Sequence, residues 1–255
     1  MNESLLRWVR PLLALLLILG AWQAAGSVWS FPAYVLVPTE IAGAWFSSLD
    51  AEMGGAVGAT ALRASAGFVL GAVIALPLAT VAALLRPVEN LLEPYIGFFY
   101  ALPKISLLPV LVLWLGYSDS ARITMIAVSA FFPIYIYMHA GVRGINPDYL
   151  KVAANVGATR RETFLRVVIP AVAPMAMVGI RVGVAISLIV TFAAEVIGQS
   201  PNGLGRHIQD GFGILSYEQM YTGIVMFALI GLGIDLLLRV ATRNRPSIWG
   251  EASPT

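Results

Sequence analysis

The side chains able to do chemistry in this sequence are few and widely spaced. Cysteine is absent and histidine occurs only at His139 and His207, so disulfides, thiolate metal sites and multi-histidine metal centres have nothing to build them. The only lysines, Lys104 and Lys151, follow Pro103 and Leu150. Neither closes the glycine-rich turn ending in Lys-Ser/Thr that cradles nucleotide phosphates. No HExxH pair, nucleophile elbow or carboxylate cluster occurs. What stands out is a handful of charges set inside apolar runs: Arg63, Lys104, Arg181, Glu195 and Asp235. At membrane depth such charges cost several kcal/mol and mark functional or paired positions.

Each of these charges carries an expectation. Arg63 is expected near the outer end of its helix, with its guanidinium snorkelling back to the interface. Arg181 falls near the midplane of its helix, and Glu195 lies ~21 Å further along at the rise of an α-helix, so the two do not pair. Asp235 is expected to meet a cytoplasmic arginine. Lys104 lies between Pro103 and Pro109, where local unwinding would expose it to a cavity. Lys104 and Arg181 suit an anionic solute, or alternatively neutralise a buried acid or a helix C-terminus.

The elements that position these residues follow from composition. Of 255 residues 58% are hydrophobic and only 12% charged, against about 25% charged in soluble proteins. The mean hydropathy is +0.81. Too little polar surface remains to cover a soluble particle, and the arginines are dispersed between apolar runs, which argues against nucleic-acid binding. Six segments are long and apolar enough to span a bilayer: 11–29, 59–85, 94–116, 122–142, 171–198 and 220–241. The first resembles a signal peptide, with Arg7 and Arg10 ahead and Ala24-Ala25-Gly26-Ser27 behind. Continuation to Trp22 and Trp29 favours a retained helix. The 30–58 stretch reads as extramembrane, with a short helix starting at Pro38-Thr39-Glu40 and capped by Thr39.

Charge asymmetry sets the orientation. With the N-terminus inside, eleven of the sixteen basic residues are cytoplasmic, among them Arg7, Arg10, Arg143, Arg160, Arg161, Arg166, Arg243 and Arg245. Both termini are therefore expected in the cytoplasm, and 1–255 reads as a single transmembrane domain. Gly67 and Gly71, four apart, are expected to let helices pack closely within the bundle.

The longest cytoplasmic segment, 143–169, is polar yet patterned. Asn146 can cap a helix with Pro147 at its first position and Asp148 in its first turn. Gly157 suits the left-handed turn that ends it. Thr159 and Glu162 form a capping box for a second short helix. Tyr149, Val152, Ala153 and Val156 line up at helical spacing as a small apolar face. That face either lies on the membrane surface or docks a partner; spacing alone leaves both open.

The same segment resembles the cytoplasmic EAA motif of binding-protein-dependent ABC importer permeases, Glu-Ala-Ala-x3-Gly-x9-Ile-x-Leu-Pro. Here it reads Lys151-Val152-Ala153, then Gly157, then Val167-x-Ile169-Pro170, with every spacing intact. Leu36-Val37-Pro38-Thr39, Leu102-Pro103-Lys104 through Pro109 to Trp114-Leu115-Gly116, and Phe131-Phe132-Pro133-Ile134 follow in the family's order. Gly179-Ile180-Arg181, Ala194-Glu195 and Gly203-Leu204-Gly205 complete it. The set is similar to the nitrate/sulfonate/taurine branch. Lys151 departs from the motif by reversing a charge at the docking surface.

The resemblance implies an all-α integral membrane protein with the type I ABC importer permease (MetI-like) fold and a cytoplasmic coupling-helix loop. It implies a permease, not an enzyme, of the bacterial inner membrane, forming a homodimer, or a dimer with a related partner, in the lipid bilayer. Two ABC ATPase subunits would bind ATP and magnesium, leaving this chain without a cofactor, and a periplasmic or lipid-anchored binding protein would deliver a small anion. Asp148, Lys151, Ala153, Gly157, Ala158, Arg160 and Arg161 would couple to the ATPase. Lys104, Arg181 and Glu195 would line the pathway, and Gly203 and Gly205 would lie under the binding protein. A secondary transporter or channel is the alternative; it would call for paired intramembrane acids and internal symmetry, and neither is visible.

Overall fold

The computed structural model describes residues 3–29 and 31–243, and these are helical almost throughout. Arg245 lies outside the described residues, as do the side chains of Arg7 and Arg243. Helix α1 spans Glu3–Trp29, α2 Pro38–Ser47, α3 Ala51–Leu84 and α4 Arg86–Ala101. After a 3-10 turn at Lys104–Leu107 come α5 (Leu108–Leu115), α6 (Asp119–Arg143), α7 (Pro147–Asn155) and the single turn α8 (Arg160–Thr163). A π-turn, Phe164–Val168, leads into α9 (Ile169–Ile197), followed by α10 (Leu204–Gly213) and α11 (Tyr217–Arg243). Among the described residues five helices are long and apolar enough to cross a membrane, or six if one bent pair counts as a span.

That bent pair is the third expected segment. Instead of one helix over 94–116, α4 begins at Arg86 and meets the 104–115 stretch at 93°. Two prolines impose the corner. Leu102, ahead of Pro103, takes an extended ψ of 139°, as a residue before proline prefers. Pro109 sits in the first turn of α5, where its missing N–H costs nothing.

The core is a three-helix packing of α3, α6 and α9. Small residues make it possible. A Cβ at Gly67 would lie 2.5 Å from Ile126, and one at Gly71 would lie 2.6 Å from the Ala127 carbonyl. α3 and α6 therefore touch backbone to backbone, as the spacing anticipates. Ala75, Ala79, Ala82, Ala130 and Ile134 are fully buried along the same seam. α1 stands apart: none of its apolar 12–29 window is buried, and it packs against α2.

The starts of α2 and α3 also differ from expectation. α2 is capped by Val37, not Thr39. The Glu40 carboxylate accepts the Val37 N–H at 3.0 Å, while the Thr39 N–H donates to Gln23. α3 starts at Ala51, eight residues early, because Asp50 caps it by accepting the Met53 N–H at 2.8 Å.

Candidate functional site

The 143–169 loop forms as its local signals dictate. Asn146 accepts the Asp148 N–H at 2.9 Å and Pro147 opens α7. Gly157 has φ +74°. Around it Ala158 N–H reaches the Ala153 carbonyl and Gly157 N–H the Ala154 carbonyl, both at 3.0 Å. This is a Schellman closure. Thr159 and Glu162 form the reciprocal capping box. The second helix is a single turn, because Pro170 cannot bond back to Arg166. The chain widens to a π-turn in which Ile169 N–H reaches the Phe164 carbonyl.

The apolar face of α7 divides. Ala153 is buried, in a helix that packs against the π-turn, whereas Val152 and Val156 are 60% and 77% exposed. Lys151 pairs with Asp148 at 2.9 Å, and both side chains are well exposed. Such a pair adds little stability, so the reversed charge is not needed for this fold. Arg160 and Arg161 are exposed, and Ala158 is half-buried. Val142, Val168, Val172 and Ala83 anchor the loop to the helices. Glu89 adds a bridge the sequence reading did not contain: it lies 3.1 Å from Arg143 and 3.2 Å from His139, tying α4 to α6.

At the opposite end of the bundle four charges converge. Arg63 Nη1 donates to Glu195 Oε1 at 2.8 Å, and Arg63 Nε to Asp119 Oδ1 at 2.8 Å. Nη1 also reaches the Asn202 carbonyl and Nη2 the Asn202 side chain. Arg122 donates to Asp119 at 3.0 Å and to the Gly198 carbonyl at 2.7 Å. The Thr60 hydroxyl donates to the Glu195 carboxylate (2.9 and 3.0 Å to its oxygens) and accepts the Leu204 N–H at 2.8 Å. The Gly205 N–H completes the carboxylate at 2.8 Å. Glu195 is 0% exposed and Arg63 2%.

This arrangement corrects one expectation. Arg63 does not snorkel; with α3 starting at Ala51 it sits more than three turns inside the helix and is buried. Glu195 is enclosed in an ion pair with Arg63. Gly203 and Gly205 are buried under the loop: their Cβ atoms would fall 2.5 and 2.7 Å from Glu195, and Gly203 has φ +117°. They shape the 198–205 segment. The sequence reading missed Thr60, Asp119, Arg122 and Asn202; the one usable signal was a lone deep base and a lone deep acid that need partners. Removing one partner of such a buried pair costs about 3–5 kcal/mol.

Between the two ends lie the remaining basic residues. Lys104 stands at the corner of the bent pair, half-buried. Its ammonium donates to the Tyr100 carbonyl at 2.7 Å and lies over the rings of Tyr100 and Phe132 at 4.9 and 5.0 Å. The unwinding expected there is present, and the ammonium also serves the C-terminal carbonyls of α4. Arg181 is on the exposed side of α9. Asp235 pairs with Arg239 at 2.6 Å, as expected.

Near the buried cluster a cleft of about 320 Å³ opens, lined by Asp50, Glu52, Glu218 and His207 among others. Burial pushes His207 below the ordinary histidine value, with Glu52, Asp210 and Asp50 opposing it. Among the described residues no group of three or more His, Asp or Glu side chains could hold a metal.

Spanning helices around a small-residue core, a polar knob at one end and a sealed ion-pair cluster at the other define the membrane subunit of a transporter. The family of binding-protein-dependent transport system inner membrane components matches residues 67–244, well over half of the chain. The chain belongs to that family: it is the permease subunit of an ABC importer, in its nitrate/sulfonate/taurine branch. It is 29% identical over 239 residues to the putative aliphatic sulfonates transport permease SsuC of Bacillus subtilis, covering 93% of this chain and 86% of that one. It is 26% identical to the taurine transport system permease TauC of Escherichia coli, covering 80% and 74%. The fold is similar to a crystal structure of an amino acid ABC transporter with histidines, at TM-score 0.57 and 17% identity over 81% of this chain and 96% of that one.

Proposed function

We propose that the chain imports a small anion, as one half of a homodimer in a bacterial inner membrane, powered by ATPase subunits docked on residues 146–165. The observation that carries this reading is the α7 knob. Ala153 is buried, while Val152, Val156 and the Gly157 turn are offered to a partner. In this reading two ATPase copies hold ATP and magnesium, and this chain makes and breaks no covalent bond. The N- and C-termini lie on the ATPase side, in keeping with the basic loop and tails.

Sulfonate and taurine, the solutes in the relatives' names, each carry a sulfonate group. Lys104 and Arg181 are the basic groups placed to meet such an anion along the pathway. An extracytoplasmic binding protein would deliver it at the α10 end, where Phe212, Ile214 and Leu215 are exposed beyond the spanning helices.

The docking reading is tested with one cysteine, since the chain has none of its own. Val156→Cys, treated in membranes with a thiol-to-amine crosslinker, is expected to yield a covalent adduct with the ATPase subunit. Gln209→Cys, at the other end, is expected to yield none. Absence of the adduct from Val156→Cys, with the ATPase present, contradicts docking on the loop.

A further inference from the structure

The buried ion-pair cluster lies between the segment proposed to face the binding protein and the helix that ends at the coupling loop. Resting on that functional reading, the geometry points to a relay. Glu195, held by Arg63 and Thr60, fastens the 198–205 segment to α9, and is the positioning residue through which docking at α10 reaches the ATPases.

Three observations support the relay. First, the segment leading into α10 is fastened by side chains and not by packing alone. Asn202 is bonded to Arg63, the Leu204 N–H to Thr60, and the Gly205 N–H to Glu195. α10 is thereby joined to α3 and α9 at its first turn.

Second, there is no slack in the joint. Any side chain at Gly203 or Gly205 would collide with the Glu195 carboxylate. Glu195, Arg63, Thr60 and Arg122 are sealed from water while Asp119 is half exposed, so at the Glu195 end no solvent molecule substitutes for a lost partner and those groups move as one body. Asp119, bonded to both Arg63 and Arg122, brings the start of α6 into the same body.

Third, α9 is helical from Ile169 to Ile197, and the π-turn leading into it is continuous with the coupling loop. Movement of the Glu195 end is therefore carried along one rod to residues 160–168. Gly141, Gly179 and Gly183 hold α6 and α9 in close contact along the way, so both rods shift together.

The test uses the complete transporter, reconstituted in lipid with its cognate ATPase and binding protein, and reads ATPase activity with and without the loaded binding protein. Thr60→Val removes one hydroxyl at constant volume, and Asn202→Ala removes the side-chain bond to Arg63 while leaving the main-chain one. Both are expected to leave basal ATPase activity within about twofold of wild type while stimulation by the binding protein falls at least fivefold. Thr60→Ser, which restores the hydroxyl, is expected to restore stimulation. Full stimulation in Thr60→Val and Asn202→Ala overturns the relay. So does a proportional fall of basal and stimulated activity, which would mark the cluster as structural alone. A wild-type complex that shows no stimulation overturns the importer reading beneath the relay, and is distinguishable because no substitution is involved.

Discussion

Gly157→Asn yields a stable, inserted permease that no longer retains its ATPase. Gly157 sits at φ +74°, a left-handed conformation that costs most side chains about 1–2 kcal/mol but that asparagine tolerates. No atom lies within 4 Å of the position a Cβ would take, so the chain itself accommodates the substitution. The added amide projects outward from the turn, next to Val156 and Val152, where the proposed ATPase contact lies. Co-purification of the ATPase is expected to fall at least tenfold, which corresponds to about 1.4 kcal/mol of lost association. The permease's own melting temperature stays within a few degrees of wild type. Gly157→Arg produces the same loss more completely. Wild-type retention of the ATPase by both variants would show that the partner does not grip this turn.

Arg63→Ala has the largest expected effect on stability. It strands Glu195, 0% exposed, with only Thr60 and the Gly205 N–H to hold its charge. It also frees the Asn202 carbonyl from the guanidinium. The expected cost is about 3–5 kcal/mol, read as a lowered melting temperature in detergent and a smaller monodisperse fraction on size-exclusion chromatography. The double variant Arg63→Met with Glu195→Met removes both charges at similar volume and recovers much of that loss, since a buried pair exchanged for apolar side chains is often neutral or better. An Arg63→Ala protein that melts with wild type would mean the ion pair is not formed.

The parts of the molecule legible in sequence are those set by local forces. The coupling loop is the clearest case. Asn146, Pro147, Gly157, Thr159 and Glu162 each act on backbone groups within a few residues, and each bond forms as its spacing implies. The spanning segments were legible because lipid demands long apolar runs. Helix starts were not, because Asp50 and Ser118 cap α3 and α6 ahead of the apolar stretches. The 93° corner at Leu102–Pro103 was legible as unwinding but not as an angle, which depends on what α5 packs against.

The buried cluster was the least legible feature. Arg63 and Glu195 are 132 residues apart in the chain, and no periodicity connects them. An interfacial reading of Arg63 followed from an α3 start placed too late. Glycines 203 and 205 were noticed for their pattern, but their reason is a carboxylate that leaves no room for a side chain.

The central claim is that this permease moves its solute only when an ATPase and a binding protein act on its two ends. The most direct measurement is uptake of a radiolabelled anionic solute, an alkanesulfonate or taurine first, into liposomes holding the permease and ATPase. ATP is sealed inside and the loaded binding protein added outside. The account predicts accumulation that requires all three components and disappears when the non-hydrolysable analogue replaces ATP. Accumulation of equal extent by the permease alone, without ATP, would contradict it.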